Sequence, residues 1–179
     1  SEHPEVHSAA ALALGKIGGD RALDTLLQHA KTDDPTLKNN TLHALRMLGR
    51  EECIPPLIEA LQDENNTVVA TAAEALGRFG RPALPYLIDL LESGADDARC
   101  VAAWQLGELR YMDAIPALTK RVREEQNPDV TALSIWALGE IGYGPADVVD
   151  TLEWAAHHEN PAIHLRATRA LKKISRHVN

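Results

Sequence analysis

Aromatic side chains are scarce in this chain: one Phe, three Tyr and three Trp among 179 residues. A core with few rings has to be filled by small and branched side chains, and Ala and Leu are prominent in the 45% of the chain that is apolar. Such side chains let helices approach closely, so a fold that is nearly all helix is expected. Cysteine is rarer still. Cys53 and Cys100 fall in well-separated segments, which argues against a disulfide framework and fits a reducing compartment. No apolar run approaches about 18 residues, the length that points to a membrane span. The opening Ser1-Glu-His-Pro-Glu-Val also lacks the basic-then-apolar order of a secretory signal. Cytoplasm is the expected location. Positive charge is short as well: 18 Lys and Arg face 26 Asp and Glu, a formal net charge of -8. That makes nucleic acid an unexpected partner, because phosphate contacts need a basic footprint.

What the chain has instead is a repeat. The stretch Pro128-Asp-Val-Thr-Ala-Leu-Ser-Ile-Trp-Ala-Leu-Gly-Glu-Ile-Gly142 puts Val130, Ser134, Ala137, Leu138 and Ile141 on one stripe of an amphipathic helix. Gly142 is placed to end it, since glycine takes positive φ without steric cost. Leu133, Trp136 and Glu140 fall on a flank roughly a third of a turn away. The same frame fits Ala13-Leu14-Gly15-Lys16-Ile17-Gly18, Ala44-Leu45-Arg46-Met47-Leu48-Gly49 and Ala75-Leu76-Gly77-Arg78-Phe79-Gly80. It also fits Gln105-Leu106-Gly107-Glu108-Leu109-Arg110 and Ala170-Leu171-Lys172-Lys173-Ile174-Ser175. The centres of the six copies are spaced by 31, 31, 30, 32 and 33 residues. Upstream of each stands Pro4, Pro35, Asn66, Asp96, Pro128 or Pro161, residue types suited to a helix start.

Another helix with its own stripe, the first of each pair where the motif helix is the second, lies between successive copies. Leu23, Leu26, Leu27 and Ala30 give its pattern, repeated by Ile54, Leu57, Ile58 and Leu61, by Leu84, Leu87, Ile88 and Leu91, and by Ile115, Leu118, Thr119 and Val122. Val149, Leu152, Glu153 and Ala156 are the expected last set. Pro55, Pro56, Pro85 and Pro116 sit near the starts of these helices, where a missing N–H is tolerated. The uneven spacing is placed in the turns: Gly80-Arg81-Pro82-Ala83 is short and Gly142-Tyr143-Gly144-Pro145-Ala146-Asp147 long. The sum is eleven helices in one elongated domain over 1–179: a half repeat at 1–18, then pairs at 19–49, 50–80, 81–110, 111–142 and 143–179. The chain starts mid-repeat and ends on a basic helix, so it reads as an excerpt of a longer array.

The pattern Pro-x-Val-x-x-x-Ala-Ala-x-Ala-Leu-Gly-x-Ile-Gly, a short turn and an Ala-Leu-x-x-Leu-Leu helix resembles the HEAT-like repeat of the phycobilisome lyase family. The resemblance covers essentially the whole chain. It implies an all-α, right-handed α-solenoid of antiparallel helix pairs with a period of about 31 residues. At one position where that family usually carries Arg, this sequence has His7, Lys38, Val69, Arg99, Thr131 and His164. The family includes bilin lyase subunits, phycobilisome-associated adaptors and scaffolds.

The resemblance further implies that the second helices line a concave surface, and it marks the positions that face outward. These are Ser8, Ala9, Leu12 and Lys16; Asn39, Asn40, His43 and Met47; and Ala70, Thr71, Glu74 and Arg78. The remaining copies give Cys100, Val101, Trp104 and Glu108; Ala132, Leu133, Trp136 and Glu140; and Leu165, Arg166, Arg169 and Lys173. Trp104 and Trp136 occupy matching places in adjacent copies, and Val101, Leu133 and Met47 extend the apolar patch. Exposed aromatics rimmed by charge are what binding hot spots look like; rings lying over neighbouring helices as packing are the alternative. Trp154, on a first-type helix, reads as packing. Glu74, Glu108 and Glu140 give an acidic middle, and Arg166, Arg169, Lys173 and Arg176 a basic end. The expected partner is a protein segment offering apolar residues beside basic ones.

Catalytic readings find little. His157, His158, Glu159 and His164 cluster at one turn without a repeated ligand pair, so no metal and no cofactor is expected. Deoxyhypusine hydroxylase, another HEAT-like array, binds iron through His-Glu dipeptides inside its second helices; the matching places here are Ser8-Ala9, Asn39-Asn40, Ala70-Thr71, Cys100-Val101, Ala132-Leu133 and Leu165-Arg166. Cys100 has no His in reach and is not expected to act as a nucleophile. The expected function is a non-catalytic scaffold for a partner segment. The alternative is a bilin lyase or phycobiliprotein-handling subunit with a tetrapyrrole in the same groove.

Overall fold

Proline, asparagine or aspartate stands where each motif helix begins. In a computed structural model, which describes residues 4–142 and 145–175, six helices start at the six marked residues: α1 (Pro4–Ile17), α3 (Pro35–Leu48), α5 (Asn66–Gly77), α7 (Asp96–Leu109), α9 (Pro128–Ile141) and α11 (Pro161–Ser175). Between them run α2 (Asp20–His29), α4 (Ile54–Ala60), α6 (Leu84–Ser93), α8 (Ile115–Glu124) and α10 (Ala146–Ala155). The eleven expected helices are therefore present among the described residues, and the chain is an all-α array of helix pairs. Gly18, Gly49 and Gly142 end their helices at positive φ, whereas α5 stops at Gly77 and Gly80 takes positive φ in the turn beyond it. Arg110 holds the equivalent place after α7 at φ 54°, an unusual left-handed conformation for a side-chain-bearing residue.

The chain divides into two compact units, Ser1–Ala83 and Leu84–Asn179. In the first, α3 packs between α1 and α5, with α2 against α1 and α3 and α4 against α5. In the second, α9 packs between α7 and α11, and α6, α8 and α10 lie against α7, α9 and α11 respectively. Leu45, Leu57 and Leu76 are fully buried in the first unit, and Leu87, Leu106, Leu118 and Ile135 in the second.

The Ala-Leu-Gly motif has a physical reason. A Cβ on Gly15 would lie 2.7 Å from Ala44 Cα, one on Gly107 2.9 Å from Ala137 Cα, and one on Gly139 3.1 Å from Ala170 Cα. In these three places the glycine of one copy receives the first alanine of the next, so adjacent second helices meet nearly backbone to backbone.

Two expectations are corrected. The buried stripe of α10 is Val148, Thr151, Leu152 and Ala155, while Glu153 is exposed. That stripe stands 33 residues after Ile115, Leu118, Thr119 and Val122, so the longer connection shifts the helix by one residue from the anticipated set. Ala132, placed on the outward ribbon, is buried, because α9 is covered on both sides. Tyr143 and Gly144 of the long turn lie outside the described residues.

Candidate functional site

Four of the second helices, α3, α5, α9 and α11, share a device that sits two residues before the residue preceding the helix. Asp34, Asn65 and Asn127 cap α3, α5 and α9 with their side-chain oxygens. Each cap residue's own N–H is in turn accepted by a side chain two residues earlier: Thr32 at 3.3 Å, Asp63 at 2.9 Å and Glu125 at 3.0 Å. His158 Nδ1 does the same for Asn160 at 3.0 Å. The acidic members are tied back to the preceding second helix. Lys38 Nζ donates to Asp63 at 2.6 Å, and Arg99 donates twice to Glu125, at 2.9 and 3.0 Å. Charge thus links neighbouring copies at Lys38 and Arg99, two of the six matching positions.

Glu125 is the most enclosed of these carboxylates. Its side chain is 3% exposed and also accepts from Arg121 at 3.1 Å and from the Gln126 N–H at 2.9 Å. Burial alone would push its carboxyl up, but the Asn127 N–H and the Arg99 and Arg121 guanidiniums outweigh it and hold the group at about 2.

The ribbon positions that sequence marks are otherwise on the surface or half-buried, with Ser8 outside the described side chains. In the first unit, Met47 and Arg78 line a shallow depression with Arg46, Gly49 and Phe79. Glu74 is exposed but ion-paired to Arg46, and His43 is half-buried.

In the second unit, Trp104 is 42% exposed, Glu108 is exposed, and Val101 and Leu133 are half-buried. Trp136 is half-buried, with its ring edge over α7: a Cβ on Gly107 would come within 2.5 Å of Trp136 Cζ3. Between α9 and α11 opens a groove of about 600 Å³. Trp136, Gly139 and Glu140 form one wall, and Ala162, Leu165, Arg166, Arg169, Ala170 and Lys173 form the other. The expected apolar place on α9 and the expected basic run on α11 are therefore one site. Arg176 lies outside the described residues.

The acidic middle changes meaning in three dimensions. Glu140 accepts from Arg110 at 2.8 Å and from Lys173, so its charge is compensated from both sides. Arg166 and Arg169, by contrast, have no hydrogen-bond or ion-pair partner among the described residues. The Arg110 contact is not visible in the sequence, where Arg110 stands at the place of the helix-ending glycines.

The remaining candidates are occupied structurally. His157 and His164 bond the carbonyls of Glu153 and Ala156, and among the described residues no three metal-ligating side chains converge. Trp154 is 44% exposed, with Arg123 stacked 5.1 Å above its ring and His158 edge-on; it is a surface cluster rather than core packing. No helix among those described is long and apolar enough to cross a membrane.

Cys100 is half-buried, and burial with the nearby Asp129, Asp97 and Asp96 pushes its thiol up to about 11. Alkylation at neutral pH is accordingly expected to run about 100-fold more slowly than for an unperturbed thiol. Timed labelling by iodoacetamide checks this, and a rate like that of free cysteine would contradict it.

Comparison with known proteins agrees with the repeat. The family of HEAT repeats matches residues 1–46, 33–106, 84–147 and 115–178. The chain is 28% identical over 159 residues to an uncharacterized phycocyanin operon protein Z of Pseudanabaena tenuis, covering 84% of this chain and 77% of that protein. Among solved structures it is similar to the complex of CpcE and CpcF of phycocyanin lyase from Nostoc sp. PCC7120, with TM-score 0.61, 24% identity, and 98% and 68% of the two chains covered. A designed armadillo repeat protein in complex with the peptide (KR)4 matches with TM-score 0.55 and 18% identity, over 97% and 95%. These two structural likenesses concern the fold.

Proposed function

We propose that this chain, which belongs to the HEAT repeat family, is a non-catalytic scaffold that holds a segment of a partner protein on the face made by its second helices. The observation that carries this reading is the groove between α9 and α11, where an indole and a leucine stand beside cations in a lining that includes the small Gly139 and Ala170. Small residues let a backbone approach, the indole gives an anchor surface, and the charged rim gives orientation. A solenoid suits this work because its inner helices present a repeated surface while the outer ones supply burial.

Panning a displayed peptide library tests the reading, using the immobilised chain beside its Trp104→Ala/Trp136→Ala variant, each checked for helix by circular dichroism. Sequences enriched on the parent should bind the folded variant at least about tenfold more weakly, as expected when aromatic anchors are removed. No enrichment above the bare support, or equal binding by the variant, sinks the idea.

A second reading is handling of a phycobiliprotein or its tetrapyrrole in the same groove. It is favoured by the similarity to a phycocyanin operon protein and by the shared fold with phycocyanin lyase. On this reading a linear tetrapyrrole added in vitro acquires an altered visible absorption that Trp136→Ala removes. An unchanged spectrum would count against it.

A further inference from the structure

The groove between α9 and α11 opposes the charge of the chain that carries it. The whole sequence has a formal net charge of -8, yet among the described residues the groove is lined by Arg166, Arg169 and Lys173 with Glu140 as the one carboxylate. Glu140 is already held by Arg110 and Lys173, so it neither attracts a cationic visitor strongly nor repels an anionic one. The two arginines, three residues apart on α11 and without partners among the described residues, therefore dominate the potential there. Residues so spaced project their side chains from neighbouring places on one helix face, about 5–6 Å apart at Cβ.

We propose that the occupant of this groove is an acidic segment of a partner protein. Its carboxylates pair with Arg166 and Arg169, and an adjoining apolar side chain rests against Trp136 and Leu165. This rests on the reading that the face binds a protein segment, and it reverses the sign of partner that the sequence alone had indicated. Guanidinium forks suit the task, since they take carboxylates in a bidentate fashion and are weakly hydrated. A lysine-rich segment would instead meet like charge from both arginines at once. Gly139 and Ala170, which line the groove with nothing longer than a methyl group, permit the segment's backbone to come near.

The experiment uses two fluorescently labelled peptides, Glu-Glu-Leu-Phe-Glu-Glu and Lys-Lys-Leu-Phe-Lys-Lys, titrated with the full chain and followed by anisotropy. The acidic peptide should bind at least about tenfold more tightly than the basic one, and raising salt from about 0.05 to 0.5 M should weaken it severalfold. Arg166→Glu/Arg169→Glu should reverse the preference. Should that variant lose its helical spectrum, Arg166→Gln/Arg169→Gln serves, with loss of the acidic peptide expected. Equal or tighter binding of the basic peptide by the parent overturns the inference while leaving segment binding intact. If neither peptide binds although panning enriches other sequences, the inference again fails alone; if panning also enriches nothing, both fall together.

Discussion

Glu125→Ala should lower the stability of the second unit by about 3 to 4 kcal/mol, the largest effect expected of any polar substitution in this chain. The loss is large because the carboxylate has several dependants. Removing it strips the main acceptor from the Arg99 and Arg121 guanidiniums and from the N–H groups of Gln126 and Asn127. Arg121 would then lose its counter-ion, and Arg99 would keep only the more exposed Asp96. Glu125→Gln separates charge from shape. It keeps an oxygen for the N–H groups but not the negative charge, and it should cost about 2 to 3 kcal/mol at pH 7.

The pH dependence fixes the sign. The folded carboxyl is held near 2 while an unfolded glutamate titrates near 4.3. Its contribution is therefore fully present above about pH 5 and disappears as pH falls toward 2. Urea midpoints of parent and Glu125→Gln, followed by circular dichroism between pH 7 and 3, should converge as acid is added. A gap that stays constant over that range would contradict the assignment.

Gly107→Ala should destabilise by about 2 kcal/mol, although alanine is normally the better helix former by about 1 kcal/mol. The new methyl would stand 2.5 Å from Trp136 Cζ3 and 2.9 Å from Ala137 Cα. The ring could swing aside, but the Ala137 backbone moves only if α9 as a whole retreats from α7. Gly139→Ala meets its neighbours at 3.0 and 3.1 Å and should cost less. Thermal unfolding of the two variants side by side checks the order. A Gly107→Ala protein as stable as the parent would mean that the close approach of α7 and α9 is not required.

Much of this architecture was legible in the sequence because it depends on single residues with strong local preferences. Proline, asparagine or aspartate at each first turn placed six helix starts without error, and glycines marked most of the ends. The Ala-Leu-Gly motif was visible as a pattern, but its cause was not, since the partner of each of three glycines lies about one repeat away. The register of α10 was missed because a variable turn precedes it and Thr151, a buried polar residue, blurred the stripe. Legibility was poorest for charge. Glu140 read as part of an acidic surface, and only folding brings Arg110 and Lys173 to it. The Glu125 cluster was invisible for the same reason: Arg99 and Glu125 are distant in sequence and meet only when α7 and the turn before α9 are packed. Of the site, the chemical types on the ribbon were readable, but not which of them meet in one groove.

Arg110 gives one of the repeats a second task. At the other helix ends that take positive φ, glycine turns the chain and contributes nothing more; here a side chain is carried through the same left-handed turn, and its guanidinium reaches Glu140. The turn that closes one repeat thereby adjusts the electrostatic setting of the next, from outside the groove itself. Restoring the consensus glycine would ease the backbone and at the same time leave Glu140 to draw more fully on Lys173, lowering the positive potential beside Arg166 and Arg169. An array built this way can be retuned for a different partner by exchanging a connector, while every residue lining the cleft stays as it is.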